Sequence, residues 1–155
     1  MTSPSVAGLP LAVSVGEPSG IGPDLVLTCH RDRALFKLAP FFTVADVDML
    51  ESRAARLGID VSIAAIDRPE DAVDVFPSAL PVLRLDNRHE DEPGTTDPAN
   101  AAGTIESIER ATRYALEGRA AALVTAPIEK KALYDAGFDH PGHTEFLAAL
   151  CQRLS

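Results

Sequence analysis

The residues best suited to chemistry lie in three short segments of this 155-residue chain. Residues 16–24, GEPSGIGPD, contain three glycines and two prolines and follow a short apolar run. Residues 125–131, TAPIEKK, place a hydroxyl and two ammonium groups after another apolar run, and residues 140–145 are HPGHTE. Ligands of open α/β sheets bind beyond the carboxyl ends of strands, where helix N-termini also attract anions. The three segments therefore indicate a site for a small anion.

The first two segments also have a purely structural interpretation. The glycines of residues 16–24 would let the backbone approach a ligand, but the pattern is neither GxGxxG nor a P-loop, and it also fits an awkward turn. Lys130 and Lys131 fit either an anion site or a solvated surface. These alternatives stay open from the sequence alone.

The third segment contains two histidines that do not form a helical pair, because Pro141 and Gly142 interrupt any helix between them. Thr144 is expected to cap the following helix and to hold His143 at its start. An imidazole there can donate to a substrate oxygen or carry a proton near neutral pH. The structural alternative is a histidine that only packs. The four histidines of the chain show no metal-site spacing.

The elements that must position these segments follow from hydrophobic patterning. The sequence predicts strands at residues 9–15, 41–45, 61–66, 81–85 and 121–125. It predicts helices at residues 24–31, 47–57, 98–117, 129–136 and 144–154, with Asp97 as an N-cap and Gly58 and Gly118 as stops. This alternation predicts an α/β fold whose sheet is buried on both faces. Residues 1–8 are interpreted as a loose leader.

Composition and charge narrow the classes of partner. The formal net charge is −9 and 46% of the residues are hydrophobic, as in a soluble globular domain. Nucleic acid and anionic membranes would be repelled by this average charge, so neither is an expected partner. The apolar run at residues 9–15 is too short to span a bilayer, and the first ten residues lack a basic region. Cytoplasm is therefore the expected compartment.

Taken together and in this order, the segments resemble the 4-hydroxythreonine-4-phosphate dehydrogenase family of pyridoxal phosphate biosynthesis. GEPSGIGPD is similar to the family's opening loop and DPANAAGTIESIERA to its long helix. LVTAPIEKKALYDAGF is similar to its strand–loop–helix, and HPGHTEFLA to its substrate-binding turn. The resemblance runs from about residue 9 to residue 150, and PGHTEF after TAPxxKxAL is its most specific part.

The resemblance implies an α/β/α layered fold of the isocitrate/isopropylmalate dehydrogenase group, with two domains and a homodimer that shares its active sites. It implies a phosphorylated hydroxy-amino acid, 4-phosphooxy-L-threonine, as substrate, with NAD (or NADP) and a divalent metal (Zn, Mg or Co) as cofactors. His143 and Thr144 match the family's substrate-binding His-Thr pair. No catalytic or cofactor-binding residue is assigned, and no metal ligand is expected in this chain.

The chain departs from the family in length, since family members are about twice as long. Residues 9–155 are therefore expected to be the N-terminal part of the dehydrogenase fold, with the metal ligands and other binding groups beyond the chain end. Such a chain is expected to be inactive, and its last helix, with nothing to pack on, exposed and poorly stable. Two alternatives remain: the same fold acting on a four-carbon sugar-acid phosphate or a cyclic dihydrodiol, and a non-catalytic protein that binds a phosphorylated metabolite.

Overall fold

Five parallel strands and six helices make up the computed structural model, which describes residues 7–154. The strands run in the order β3-β4-β2-β1-β5, so that β1 lies between β2 and β5. Their bounds are β1 Leu11–Ser14, β2 Phe41–Ala45, β3 Ile63–Ile66, β4 Leu80–Arg84 and β5 Leu123–Thr125. The helices are α1 Gly22–Arg31, α2 Val47–Leu57, α3 Ala72–Val75, α4 Ala101–Leu116, α5 Lys130–Asp135 and α6 His143–Leu154.

Local capping explains where α2 begins and ends and how the chain enters α4. The Asp46 carboxylate accepts hydrogen bonds from the backbone N–H groups of Asp48 and Met49, at 2.9 and 3.3 Å, and so starts α2. Gly58 ends α2 in the left-handed conformation, with φ of 65°. Before α4, Asp97 accepts from Ala99 N at 2.8 Å and caps a short 3-10 turn that leads into the helix.

The helices cover the sheet on two faces and make three layers. Alternate side chains of β2 point to opposite faces: Phe41 joins one apolar core and Phe42 the other. Helices α1 and α2 contribute to the first core, through Leu27 and Leu50. Helices α3 and α4 contribute to the second. The predicted α/β/α layering is confirmed.

The sheet is not buried on both faces at its β5 edge. β5 has a strand neighbour on one side only, and Val124 at its centre is 45% exposed. A groove of about 330 Å³ runs there beside α1, between Leu25 and Val124. The sequence pattern suggested a buried strand because AALV is as apolar as a central strand, and apolarity alone does not distinguish an edge from a centre.

The last helix is packed, which corrects the expectation that it would be exposed. Phe146 and Leu150 of α6 are 4% and 1% exposed and form a third core with Ile108 of α4. Arg153 also donates to Glu109 on α4 at 2.7 Å. α4 therefore packs on the sheet through Ala111 and on α6 through Ile108.

Most remaining differences concern boundaries. β1, β3 and β5 are shorter than predicted, and α1 begins two residues earlier, at Gly22. Helix α3 and the 3-10 turn Pro69–Asp71 before it were not predicted. Of the supposed leader, residues 1–6 lie outside the described residues, whereas Ala7 and Gly8 form an exposed turn. None of the helices described between residues 7 and 154 is both long and apolar enough to cross a bilayer.

Candidate functional site

The three chemistry-bearing segments follow β1, β5 and α5, close to one edge of the sheet. After β1 the chain continues through α1 on one face, whereas after β5 it continues through α5 to α6, which packs on α4 on the opposite face. Connections that leave neighbouring strands toward opposite faces open a crevice at the strand ends. Here the crevice holds a pocket of about 380 Å³. It is lined by the loop after β1, by Gly94 and Thr96, and by residues that follow β5.

The loop after β1, residues 16–22, is called the opening loop. Two of its glycines, Gly16 and Gly22, are required because the backbone packs closely around them. Gly16 has φ of +76°, and a Cβ there would overlap the carbonyl oxygen of Pro127. The same carbonyl accepts a hydrogen bond from Glu17 N at 3.0 Å, which ties the opening loop to the segment after β5. A Cβ on Gly22 would overlap the carbonyl oxygen of Val15. At these two positions the structural interpretation of the glycines is sufficient.

Glu17 places a buried carboxylate at the back of the pocket. It is 2% exposed, and one of its oxygens accepts from Ser19 N at 3.3 Å and from Ser19 Oγ at 3.1 Å. Its other oxygen, Oε2, has no hydrogen-bond partner among residues 7–154. Burial raises the pKa of Glu17 against the opposing Ser19 hydrogen bonds, and the nearby charges of Glu129 and Asp97 raise it further. This part of the pocket suits a hydrogen-bond donor better than an anion.

Arg53 of α2 holds the opening loop in place through its buried guanidinium group. Its guanidinium is 1% exposed and donates to the backbone carbonyls of Pro18 and Gly20. It also bonds Asp24 of α1 and Asp91, the latter at 2.7 Å. The Ser52, Arg53 and Arg56 hydrogen bonds lower the pKa of Asp91 against the opposing effect of its burial. The burial of Arg53 could not be predicted from the sequence, because an arginine on an amphipathic helix normally lies on the solvent-exposed face.

A second buried polar cluster lies behind the opening loop. His89 is 5% exposed, its backbone N–H donates to Asp46 at 3.1 Å, and its Nε2 lies 3.4 Å from Thr104 Oγ1. Thr104 Oγ1 is also 3.5 Å from the carbonyl oxygen of Gly16. Burial lowers the pKa of His89 to about 4, so that its imidazole is neutral at pH 7. Gly103 leaves room for the ring, since a Cβ there would overlap it.

The structure puts His143 at the start of α6, as predicted, but Thr144 in a different role. His143 is the first residue of α6 and is half-buried, with Nε2 unpartnered among residues 7–154. Burial lowers its pKa, and the positive charge of Lys130 lowers it further. Thr144 is exposed and lies inside the first turn. It is therefore not the helix cap, because the helix begins one residue earlier than expected.

The remaining predicted candidates separate into packed and paired residues. His140 packs its ring on Phe138 and Phe146, with centroids 5.2 and 5.1 Å apart, and so serves as a packing residue. Lys131 is 81% exposed and forms an ion pair with Asp135 at 2.6 Å. In the part of the chain that the structure describes, no group of three or more His, Cys, Asp or Glu side chains could hold a metal ion.

Comparison with known proteins identifies the family. Residues 37–154 match the family model of the pyridoxal phosphate biosynthetic protein PdxA. The chain belongs to this family. It is 47% identical over 146 residues to the 4-hydroxythreonine-4-phosphate dehydrogenase of Methylorubrum populi, covering 93% of this chain and 42% of that protein. The enzyme of the same name from Erythrobacter litoralis is 45% identical over 92% of this chain and 42% of its own length.

Solved PdxA-family structures share the fold. The crystal structure of 4-hydroxythreonine-4-phosphate dehydrogenase from Klebsiella pneumoniae superposes with a TM-score of 0.80 at 32% identity, over 94% of this chain and 45% of that chain. A terephthalate 1,2-cis-dihydrodiol dehydrogenase from Burkholderia xenovorans superposes with a TM-score of 0.69 at 19% identity, which shows a common fold alone. The chain thus spans less than half the length of these PdxA-family relatives.

Within the described residues, the donors that a divalent ion needs are not grouped, and the polar pocket does not suit a dinucleotide. A divalent ion needs several ligands, and residues 7–154 offer no such group. The pyrophosphate of a dinucleotide is an anion, whereas the polar pocket is lined by the carboxylates of Glu17 and Glu129. We therefore assign no metal ligand and no cofactor-binding residue within the PdxA-family chain described here.

Proposed function

We propose that this chain forms the substrate-binding part of a 4-hydroxythreonine-4-phosphate dehydrogenase. The substrate is 4-phosphooxy-L-threonine. Its 3-hydroxyl carbon loses a hydride and the hydroxyl loses a proton, which gives a β-keto acid. This acid loses carbon dioxide and yields 3-amino-2-oxopropyl phosphate, a step in pyridoxal 5′-phosphate biosynthesis.

Membership of the PdxA family supports the reaction, and one observation of the structure carries the proposal for the site. His143, at the start of α6, has a buried ring nitrogen that forms no hydrogen bond with the residues that the structure describes. A buried polar atom of this kind normally has a partner, so it indicates a hydrogen bond that is made to a ligand. We assign that ligand atom to an oxygen of the substrate.

His143 and Thr144 would bind and orient the substrate. Because burial lowers its pKa, the His143 imidazole is neutral at pH 7. Its Nε2 can then donate a hydrogen bond to the substrate or accept one, depending on the tautomer. The exposed Thr144 hydroxyl can donate to a second oxygen. NAD (or NADP) would accept the hydride, and a divalent ion, Zn, Mg or Co, would polarise the hydroxyl oxygen. We expect the residues that bind the nicotinamide cofactor and the divalent ion to lie outside this chain. We also expect the enzyme to be a homodimer in the cytoplasm.

The experiment is a turnover assay on the native gene product that contains these 155 residues. NADH absorbance is followed with 4-phosphooxy-L-threonine, with a four-carbon sugar-acid phosphate and with a cyclic dihydrodiol, each in the presence of a divalent ion. The highest kcat/KM is expected for 4-phosphooxy-L-threonine. Preference for either other substrate would retain the fold and the reaction type but reject this substrate. Binding of the phosphorylated substrate without turnover would favour the non-catalytic alternative.

A further inference from the structure

We propose that Lys130, together with His143, forms a binding site for an oxyanion of the substrate, either its phosphate or its carboxylate. The inference rests on the proposed function for the identity of the ligand and deepens it by naming the cation of the site. TAPIEKK contains two neighbouring lysines, Lys130 and Lys131, whose surroundings differ in the structure.

Lys131 already has an ionic partner. Its ammonium group bonds the Asp135 carboxylate at 2.6 Å, one helical turn along α5. Lys130 differs, because within residues 7–154 no carboxylate oxygen lies inside the 4.0 Å ion-pair distance of its Nζ. Lys130 is also exposed, so its charge is accessible to a ligand.

Lys130 lies against the turn that carries His143. The position that a Cβ would take on Gly142 is 3.6 Å from Lys130 Cε and 3.7 Å from Lys130 Nζ. These are ordinary van der Waals distances, and Gly142 directly precedes His143 in the chain. A side chain at residue 142 would therefore contact the Lys130 ammonium group, and Gly142 leaves that space open beside His143.

The turn is held in place by α5 and α6. Tyr134 of α5 donates its hydroxyl to the carbonyl oxygen of Pro141 at 2.9 Å. The His140 ring packs against Phe146 of α6, and Leu133 of α5 is fully buried. The distance between Lys130 and His143 therefore follows from packing and does not need a ligand to be established.

The turn carries one charge of each sign, the Lys130 ammonium and the Glu145 carboxylate. Lys130 lowers the pKa of His143, because the ammonium disfavours a second positive charge nearby. The carboxylate of Glu145 lies near the same turn, with Oε2 at 3.4 Å from the Gly142 Cβ position, but outside ion-pair distance of Lys130. An oxyanion between Lys130 and His143 would accept a charge-assisted hydrogen bond from the first and a hydrogen bond from the second.

The test is a titration of the chain with inorganic phosphate and, separately, with acetate, at ionic strength held constant with chloride. The observed quantity is the NMR chemical shift of the His143 imidazole, with the packed His140 ring as internal reference. The variants are Lys130→Met, Lys130→Arg and the matched control Lys131→Met. We expect saturable shifts at His143 with at least one anion, and the anion that binds more tightly identifies the group that Lys130 holds.

Lys130→Met should weaken this binding at least tenfold, since a charge-assisted hydrogen bond contributes about 1.5–3 kcal/mol. Lys130→Arg should stay within a few-fold of wild type, and Lys131→Met should leave binding unchanged. The His143 pKa should rise in Lys130→Met and not in Lys131→Met. Equal weakening by both Met variants, or no shift with either anion, would overturn the proposal. Turnover plays no part in this measurement, so it can fail or succeed independently of the dehydrogenase assignment.

Discussion

The opening loop and the turn that carries His143 border the same edge of the sheet, but they are built differently. The opening loop is fixed by the buried guanidinium of Arg53 and by a hydrogen bond to Pro127, and its glycines serve that packing. The turn before α6 leaves the His143 Nε2 and the Lys130 ammonium without a hydrogen-bond or ion-pair partner among residues 7–154. Packing therefore explains Gly16 and Gly22, so the glycines of the opening loop do not by themselves indicate ligand contact. The unpaired polar atoms, Glu17 Oε2 in the loop and His143 Nε2 after the turn, are the better indicators.

The largest expected effect concerns the support of the opening loop. Arg53→Ala should lower the free energy of unfolding by about 3–5 kcal/mol, because the backbone carbonyls of Pro18 and Gly20 lose their buried donor. The almost buried Asp91 also loses one of its ionic partners. Urea denaturation measures the change. Arg56→Ala is the matched control: Arg56 also bonds Asp91, but its side chain is 53% exposed, so about 1 kcal/mol or less is expected. Equal losses in both variants would show that Arg53 has no special structural role.

The next effect tests whether the glycines act through packing. Gly16→Ala should cost about 3 kcal/mol of stability, because it combines a left-handed backbone with overlap on the Pro127 carbonyl. Gly118→Ala provides the comparison, since Gly118 has φ of +69° with nothing within 4 Å of its Cβ position. Gly118→Ala should lower stability by only about 1 kcal/mol, because alanine disfavours the left-handed backbone conformation but meets no steric overlap there. Thermal unfolding of both variants is the measurement, and similar shifts would refute the packing argument.

His143→Ala tests the other side of the comparison. In the native gene product we expect kcat/KM to fall about a hundredfold while the free energy of unfolding changes little, because Nε2 makes no hydrogen bond to residues 7–154 that would be lost. His140→Ala should do the reverse. It should cost about 1 kcal/mol of stability through lost ring packing, with kcat/KM nearly unchanged. Unchanged turnover in His143→Ala would remove His143 from the substrate site.

The smallest effect concerns the buried charge of Glu17. Its pKa is raised above 4.5, so the folded state holds this proton more tightly than the unfolded chain does. The contribution of Glu17 to stability is therefore greatest below pH 4.5 and is lost as the pH rises through the folded pKa. Glu17→Gln should be more stable than wild type at pH 7, and the difference should be smaller at pH 4.5.

Urea denaturation at the two pH values measures this difference. Glu51→Gln, on the exposed side of α2, is the control for a change in net charge. A wild-type protein that is the more stable of the two at pH 7 would show that the Glu17 carboxylate has a partner it uses when ionised.

Locally encoded elements could be predicted from the sequence. Strand β2 and helix α2 have the predicted bounds, because FFTVA is a short apolar run and Gly58 supplies the helix stop. The length of β5 and its exposure could not be predicted. Both depend on which strands become its neighbours, and that is decided by contacts between distant parts of the chain.

The candidate site was predictable only in part. His143 and Thr144 came from the resemblance to a family, and their roles remain predictions. Arg53 and His89 were missed because an arginine or a histidine on its own does not reveal whether it will be buried. The choice between Lys130 and Lys131 needed the position of Gly142 and the Asp135 partner in space.

The pairing of β1 with β5 has a consequence for the order of folding. Ala12 pairs with Leu123, so the crevice between these strands depends on a contact between opposite ends of the sequence. Contacts of this kind form late, because a long loop must close first, and β5 is held by one neighbour only. We expect the amides of β5 to exchange with solvent faster than those of β2. The crevice beside β1 and β5 would then be the last part of the sheet to assemble and the first to open.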